Sequence, residues 1–223
     1  VAPAHTTFSP NAMAQFLQVH PQNPQARLIQ IAVKLLAAGG VMAVPTDSSY
    51  ALVCHLDDKT AVDHMRRIRG VDERHHLTLL CRDLSDLSSY AKVDNRQFRL
   101  LKAATPGAYT FILEATKEVP RRVAHPQRKT IGLRLPDHPS LQALLQAHGQ
   151  PLLATTLIPP GQTEALNDAE EIREKYEKVL SAVMDAGACS LEPTTVVDLT
   201  PMDLGGEPLL VRKGRGELHL LNL

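Results

Sequence analysis

Residues 23–50, NPQARLIQIAVKLLAAGGVMAVPTDSSY, decide the fold class of this chain. Asn23-Pro24 has the form of an N-cap followed by a first-turn proline, apolar residues then recur at helical spacing, and Gly39-Gly40 ends the helix. The next residues, 41–44, are an apolar run of the buried-strand type, which Pro45 ends. A helix that leads directly into a buried strand indicates an α/β protein.

The same alternation of helix and strand continues along the chain. Apolar residues at helical spacing predict further helices at 61–68, 84–90, 95–103, 140–147 and 168–178. Short apolar runs predict further strands at 77–81, 109–113, 131–135, 151–155, 180–184, 195–199 and 209–212. Asp168 and Glu171 resemble a capping box at the start of the last helix. Because the alternation is regular and no internal repeat interrupts it, we predict an α/β fold with one twisted, open, mixed sheet covered by helices.

Length and composition limit how the chain is organised. It has 223 residues, of which 43% are hydrophobic and 22% charged, enough for one large domain with its own core. We expect a single domain over residues 13–223, and we interpret residues 1–12, which lack an apolar pattern, as an expression remnant or a disordered tail. No apolar stretch approaches the roughly 18 residues that a membrane span needs, so we expect no membrane partner and a cytoplasmic location.

Charge, cysteine and histidine content exclude several classes of protein. The 24 basic and 24 acidic residues cancel, which argues against a protein whose whole surface binds nucleic acid, so any anion site must be local. The three cysteines are far apart and indicate neither a disulfide framework nor a thiolate zinc site. The histidines show no metal-ligand spacing, and the sequence has no glycine-rich nucleotide motif of the common types. We therefore expect no tightly bound metal.

Hydroxyl groups and arginines concentrate in four segments next to predicted strand or helix ends: 45–50, 66–69, 105–110 and 193–198. The first presents donors suited to a carboxylate or a phosphate, although Asp47 and Ser48 also have the form of turn or cap residues. The second places three arginines at the end of a helix, where the helix dipole favours cations in any case and where guanidinium groups are also suited to phosphate. Arg134 and Arg212 interrupt apolar strands, so each faces either solvent or a polar cavity.

Taken in this order, the segments resemble the YrdC-like family of threonylcarbamoyl-AMP synthases, and most closely its YciO branch. The resemblance covers about Phe16 to Arg215 and rests on six motifs: Val44–Ser48 with Tyr50, Arg67–Arg69, Thr105–Gly107 with Thr110, Gly132–Pro139, Pro193–Asp198 and Arg212–Gly214. It implies a YrdC/RibB-like sheet with a concave, basic cavity. It also implies a nucleotidyltransferase that joins L-threonine, bicarbonate and ATP into threonylcarbamoyl-AMP, releasing pyrophosphate, for the t6A modification of tRNA.

The resemblance also implies roles for individual residues. The catalytic positions are Arg67, Arg69 and Thr156. The positions implied for ATP or AMP are Arg67, Arg69, Thr110, Arg134, Thr194 and Arg212. The positions implied for threonine are Thr46, Tyr50, Arg134 and Thr194. ATP would bring Mg²⁺, held largely by phosphates and water, because no carboxylate pair in the sequence identifies its ligands.

The chain departs from the family pattern at two places. Active synthases carry Lys-x-Arg and Ser-x-Asn, and the matching residues here are Arg67 and Arg69, then Thr156 and Ile158. Arg keeps the charge of Lys and Thr keeps the hydroxyl of Ser, but Ile158 removes an amide from a ligand-facing position. We expect this loss to slow synthesis about tenfold to a hundredfold. The second departure is the segment 70–76, which is longer than the family's turn and has glycine where the family has proline.

Two other functions are compatible with the sequence. The first is a protein that uses the cavity for a free nucleotide, or that binds double-stranded RNA or tRNA during RNA maturation. The basic clusters 66–74 and 121–129 favour it, because local cations attract a phosphate backbone even on a neutral protein. The second is a purely structural role, which is less favoured because clustered arginines destabilise a fold that has no anion to compensate them.

Overall fold

The computed structural model describes residues 13–124, 127 and 129–221. The predicted tail, residues 1–12, lies outside the described residues, as does part of the basic segment 121–129. Ten strands and six α-helices follow one another along the described chain. In that part of the chain, no helix is both long enough and apolar enough to cross a membrane.

The ten strands form one open, mixed sheet. Their bounds are β1 (Gln15–Gln18), β2 (Met42–Val44), β3 (Ala51–His55), β4 (Thr78–Leu80), β5 (Tyr109–Glu114), β6 (Thr130–Arg134), β7 (Leu152–Thr156), β8 (Ala182–Asp185), β9 (Thr195–Asp198) and β10 (Leu209–Arg212). Across the sheet they lie in the order β1-β8-β2-β3-β7-β4-β6-β5-β9-β10, with both parallel and antiparallel neighbours. The predicted fold class is confirmed.

The helices are α1 (Ala26–Ala37), α2 (Lys59–Arg69), α3 (Leu84–Tyr90), α4 (Asn95–Ala104), α5 (Pro139–His148) and α6 (Ala169–Tyr176). Two short 3₁₀ helices follow at Thr200–Leu204 and Leu218–Leu221. Aspartate begins four of the α-helices, because its carboxylate accepts the backbone N–H three residues further on: Asp58 before α2, Asp83 before α3, Asp94 before α4 and Asp168 before α6. At Asp94 the bond is reciprocal, and Gln97 completes a capping box.

The start of α1 differs from the prediction. The helix begins at Ala26 rather than at Pro24, and Gln25 occupies the N-cap without a capping bond from its side chain. The residues before it form a separate turn, in which His20 Nδ1 accepts the N–H of Asn23 at 3.0 Å. Asn23 is therefore part of that turn and does not cap the helix.

Two strands, β1 and β3, lie outside the predicted set. The sequence of β1 is QFLQ, which has too few apolar residues to predict a strand, and it forms an edge of the sheet beside β8. The apolar β3 follows directly on the hydroxyl-rich segment 45–50, which is typical of a helix cap as well as of a turn. Here it is a turn, and it returns the chain so that Ala51 lies opposite Val44.

One face of the sheet is fully covered by helices. The register pairs Phe111 with Leu133 and Leu79 with Leu153, and all four side chains are 0% exposed. Apolar residues of α2, α3, α4 and α6 pack onto this face: Ala61, Val62, Met65, Leu87, Leu101, Ala169 and Ile172. This side forms the larger hydrophobic core.

The opposite face is only half covered. Leu36 of α1 and Leu144 of α5 belong to a second core, which lies on β8, β2, β3 and β7. Further along the sheet, on β5 and β9, the residues of this face are only partly buried: Thr110, Ile112, Val196 and Asp198. The two helices therefore leave an open face over β5, β9 and β10. It is bordered by β6, which is buried along its whole length, and by β4, whose Leu80 belongs to the second core.

Candidate functional site

The open face carries residues from separate sequence motifs. Gly132 lies opposite Ile112, so their neighbours two positions away, Arg134 and Thr110, lie on the same side of the sheet. Val196 lies opposite Thr110, and Arg212 lies opposite Val196. The register therefore gathers four predicted site residues on this face: Thr110, Arg134, Thr194 and Arg212.

Thr110, Thr194 and Arg212 contact one another directly. The hydroxyl oxygens of the two threonines are 3.0 Å apart. The Arg212 guanidinium donates to the carbonyl of Thr194 through Nε at 3.2 Å and through Nη2 at 3.0 Å. Partial burial lowers the pKa of Arg212, which nevertheless remains a cation at neutral pH. This cluster can present a positive charge and hydroxyl donors to an anion.

Gly132 lies between the side chains of Thr78 and Thr110. A Cβ atom at Gly132 would lie 3.1 Å from Thr78 Oγ1 and 3.3 Å from Thr110 Cγ2. Both distances are tighter than ordinary van der Waals contacts, so a larger residue would fill the space between the two threonines. The absence of a side chain at Gly132 therefore lets the side chains of Thr78 and Thr110 lie close to the backbone of β6.

Arg134 lies at the rim of the open face and is buried. It forms an ion pair with Asp47, and its Nη2 also donates to Thr46 Oγ1 and Ser48 Oγ, both at 3.1 Å. Its Nε is buried and has no partner among the described residues. The sequence leaves two alternatives for Arg134, solvent or a polar cavity. In the structure, Arg134 is enclosed by polar groups.

Thr46 and Tyr50 both have internal hydrogen bonds. Thr46 Oγ1 donates to the carbonyl of Ser49 at 2.7 Å. Tyr50 is fully buried, and its hydroxyl donates to the carbonyl of Gly187 at 3.1 Å. Burial raises the pKa of Tyr50 far above its ordinary value, so its hydroxyl keeps its proton. These bonds hold the segment 45–50 in place, and a direct contact of either side chain with threonine stays a prediction.

The end of β7 brings Arg69 and Thr156 together. Arg69 Nε donates to the carbonyl of Thr156 at 3.0 Å. Thr156 lies two residues beyond Ala154, which is opposite Thr78, so its exposed side chain lies on the same side of the sheet as the open face. Beside them, His75 Nε2 is 3.0 Å from Thr155 Oγ1.

Arg67 does not join this group. It is exposed on α2 and lines a surface depression of about 390 Å³ together with Asp63 and Glu73. Its predicted contact with a nucleotide would therefore need its long side chain to turn toward Arg69.

Hydrogen bonds within the segment 70–76 hold its conformation after α2. Gly70 ends the helix in the left-handed conformation (φ 69°), and the N–H of Val71 bonds to the carbonyl of Arg66 at 3.1 Å. Asp72 Oδ1 then accepts the N–H of Arg74 at 2.9 Å. Glycine at position 70 is thus explained by the helix end, since proline cannot adopt a positive φ.

Two residues of the site could not be found from sequence alone. Asp47 lies in the motif at 44–48, where an aspartate is typical of a turn. Its pairing with Arg134 is a contact between distant parts of the chain, which the motif does not predict. His75 lies in a loop with no sequence signal beyond an adjacent histidine, His76. Among the described residues, no group of three or more His, Cys, Asp or Glu converges into a metal site.

Comparison with known proteins identifies the family. The family model Sua5/YciO/YrdC, described as "Telomere recombination", matches residues 34–214. The protein YciO of Escherichia coli K12 is 50% identical over 206 residues, which cover 92% of this chain and 98% of that protein. Human threonylcarbamoyl-AMP synthase is 33% identical over 180 residues, 77% of this chain and 63% of that protein. The chain belongs to the Sua5/YciO/YrdC family, as the sequence motifs predict.

Solved structures agree with this assignment. The crystal structure of Escherichia coli YciO superposes with a TM-score of 0.88 at 49% identity and covers 94% of this chain and 100% of that one. The structure of Pyrococcus abyssi Sua5 complexed with L-threonine superposes with a TM-score of 0.81 at 24% identity, over 89% of this chain and 57% of that one. The second comparison shows that the fold is shared.

Proposed function

We propose that this protein binds ATP on the open half of the sheet and forms an adenylate of carboxylated L-threonine there. The observation that carries the proposal is the gathering of Thr110, Arg134, Thr194 and Arg212 on one open face, with Arg69 and Thr156 at the end of β7. Cations and hydroxyl donors gathered on one surface suit a ligand with several anionic groups. The relation to human threonylcarbamoyl-AMP synthase and to a Sua5 complexed with L-threonine supports this choice of substrate.

The proposed reaction has two steps. The amine of threonine attacks the carbon of bicarbonate, which forms a carbamate with loss of water. A carbamate oxygen then attacks the α-phosphorus of ATP, the bond from that phosphorus to the bridging oxygen breaks, and pyrophosphate leaves with the electron pair. The protein's contribution is to align the two reactants and to stabilise negative charge on the phosphates.

The residues divide this work by position. Arg69 is partly buried and Arg212 is exposed, and they lie at two borders of the open face, so they can contact phosphate oxygens without a large rearrangement. Arg134 is held by Asp47 and shapes the rim, and its buried Nε has no hydrogen-bond partner among the described residues. Thr156 presents its hydroxyl beside Arg69. Mg²⁺ would enter with ATP as its phosphate complex, because the described residues offer no carboxylate cluster to hold it.

Ile158 makes slow turnover the expected behaviour. Its backbone N–H bonds to the carbonyl of Thr156 at 3.0 Å, so the chain turns tightly just after the strand that carries the hydroxyl. The apolar side chain adds no donor or acceptor to the reacting groups, unlike the amide of the active synthases.

The test is pyrophosphate release from ATP with Mg²⁺, L-threonine and bicarbonate. L-threonine and bicarbonate are each omitted in turn. Release that requires both would support the proposal. If ATP binds but no pyrophosphate appears over long incubation, the proposed chemistry is wrong. If ATP does not bind, the proposed site is wrong as well.

A second candidate function is RNA binding, which the position of the two basic clusters favours. Arg66 Nη2 donates to the carbonyl of Arg122 at 3.1 Å, so the clusters 66–74 and 121–129 adjoin through their described residues. Adjacent cations attract a phosphate backbone, and such binding weakens steeply as salt rises. Binding of double-stranded RNA or tRNA at low salt, lost at about 200 mM salt, would support this function, and its absence at low salt would exclude it.

A further inference from the structure

Two arginines without a close ion-pair partner in the described part of the chain lie near the end of β7. Arg69 donates to the carbonyl of Thr156, and neither Arg69 nor Arg66 has a carboxylate partner within ion-pair distance among the described residues. Arg66 is only 7% exposed, and its Nε is buried without a partner in the part of the chain described. Buried positive charge of this kind destabilises a protein unless an anion compensates it. The cluster therefore indicates that an anion binds close by.

His75 is held next to these arginines by its loop. The left-handed Gly70 turns the chain at the end of α2, and the N–H of His75 bonds to the carbonyl of Asp72 at 3.2 Å. The imidazole Nε2 then lies 3.0 Å from Thr155 Oγ1. Arg69 and His75 thus hold consecutive residues, Thr156 and Thr155, at the end of the same strand.

We propose that His75 is a positioning residue of the anion site beside Arg69, and that it takes up a proton when an anionic ligand binds there. This inference rests on the proposed function, because it needs a polyphosphate at the end of β7. It gives the longer loop of this protein a role at the site. In this role, His75 holds the strand end that carries the Thr156 hydroxyl and adds a positive charge only when the site holds negative charge.

The groups around His75 explain why it is neutral before the anion binds. Burial lowers the pKa of His75, and the nearby charges of Arg69, His76 and Arg66 lower it further, while Asp72 opposes them. The small cavity that His75 lines is also lined by the charged Glu73 and Arg74 of its own loop. On the opposite side, its described lining residues are Val123, Ala124 and Thr130, which carry no charge. The strand contributes the Thr155 hydroxyl, which can either donate to a neutral imidazole or accept from a charged one.

A bound polyphosphate reverses this balance. Its negative charge offsets Arg69 and Arg66, so the pKa of His75 rises in the complex and the ring binds a proton. By linkage, the affinity for the anion must then increase as the pH falls through the interval between the two pKa values. One additional positive charge on His75 would increase the affinity for the bound anion on the order of threefold to tenfold.

The experiment compares MgATP binding by the full chain at several pH values between 8 and 5.5, using calorimetry in buffers of different ionisation enthalpy. The variant His75→Gln keeps a hydrogen-bonding group near Thr155 but cannot titrate. The control is His148→Gln, which removes another half-buried histidine from the far end of α5, next to His55. Protonation of ATP itself is the same for all three proteins and cancels in the comparison.

We expect wild type and His148→Gln to take up more protons than His75→Gln on binding, and to gain about threefold to tenfold more affinity between pH 8 and 6. Equal proton uptake in wild type and His75→Gln, with ATP bound, would overturn this inference alone. No ATP binding at any pH would overturn both it and the proposed function. Since His75→Gln could fold poorly, the ring of His75 is also titrated by NMR in the wild type. A pKa unchanged by MgATP there would likewise overturn the inference.

Discussion

Asp47 and Arg134 form a buried ion pair between residues 87 positions apart in the sequence. The Asp47 side chain is 10% exposed and that of Arg134 is 8% exposed. The second carboxylate oxygen of Asp47 accepts the backbone N–H of Asp137 at 2.9 Å. One carboxylate therefore joins the loop after β2 to both the end of β6 and the segment that leads into α5, which fixes one rim of the open face.

Replacement of Asp47 by asparagine should destabilise the protein strongly. Asp47→Asn leaves the Arg134 charge buried without its counter-ion, and breaking a buried pair in this way typically costs about 3–5 kcal/mol. Urea unfolding of the variant measures the loss. The control is Glu207→Gln, which breaks the exposed pair with Arg96 and should cost less than about 1 kcal/mol. Equal effects of the two substitutions would show that the Asp47 pair does not stabilise the rim.

The two arginines at the end of α2 should differ in their effect on ATP binding. Arg69→Ala removes the cation that lies beside Thr156, so we expect the affinity for MgATP to fall about tenfold to a hundredfold. Arg67→Ala should have a smaller effect, because Arg67 is exposed and lies beside Asp63 and Glu73. Calorimetry measures both variants, with the exposed Arg99→Ala on α4 as the control for a general loss of charge. A larger effect of Arg67→Ala would mean that its side chain turns into the site.

Ile158→Asn should increase the rate of pyrophosphate release. The substitution restores an amide next to Thr156, and a hydrogen bond made in the transition state is worth about tenfold to a hundredfold in rate. The matched control is Ile158→Ala, which removes the isoleucine side chain but adds no donor or acceptor. If both variants are as slow as wild type, the longer segment 70–76 and not Ile158 limits the reaction.

Stability should fall as the pH drops from about 7 to 5.5. Burial lowers the pKa of His75, His138 and His148 from the ordinary value of 6.5. The unfolded chain therefore binds protons first as the pH falls below about 7, and unfolding is favoured down to the folded-state pKa values. Each such histidine contributes a slope of up to about 1.4 kcal/mol per pH unit. Urea unfolding at several pH values should show a smaller slope in His148→Gln, and an unchanged slope would contradict this assignment.

The elements that sequence patterns predict best are those that depend on near neighbours. The strand β10 has the predicted bounds, 209–212, and so does α3, 84–90, because its start depends on Asp83 and an N–H three residues away. The wrong predictions have two different causes. Asn23 takes part in a competing local turn with His20, and β3 is recognised only once the chain is known to reverse at 45–50.

The candidate site shows the same division between near and distant contacts. The motifs select residues that the sheet brings to one open face, such as Thr110 and Arg212. They do not reveal that Arg67 is exposed, nor that the Tyr50 hydroxyl is bonded to Gly187. The direction in which a long side chain extends depends on the residues that pack around it. Those residues come from distant parts of the chain.

By itself, the sequence determined the class of the fold and the family, and it proposed a set of polar residues for the site. Hydrophobic periodicity, cap residues and short motifs depend on residues within a few positions of each other, so they can be recognised in the linear sequence. Only the tertiary structure decided the pairing of Asp47 with Arg134, the contact of His75 with Thr155, and which part of the sheet stays open. Strand order and helix packing fix these contacts, and both result from the burial of apolar surface over the entire sheet.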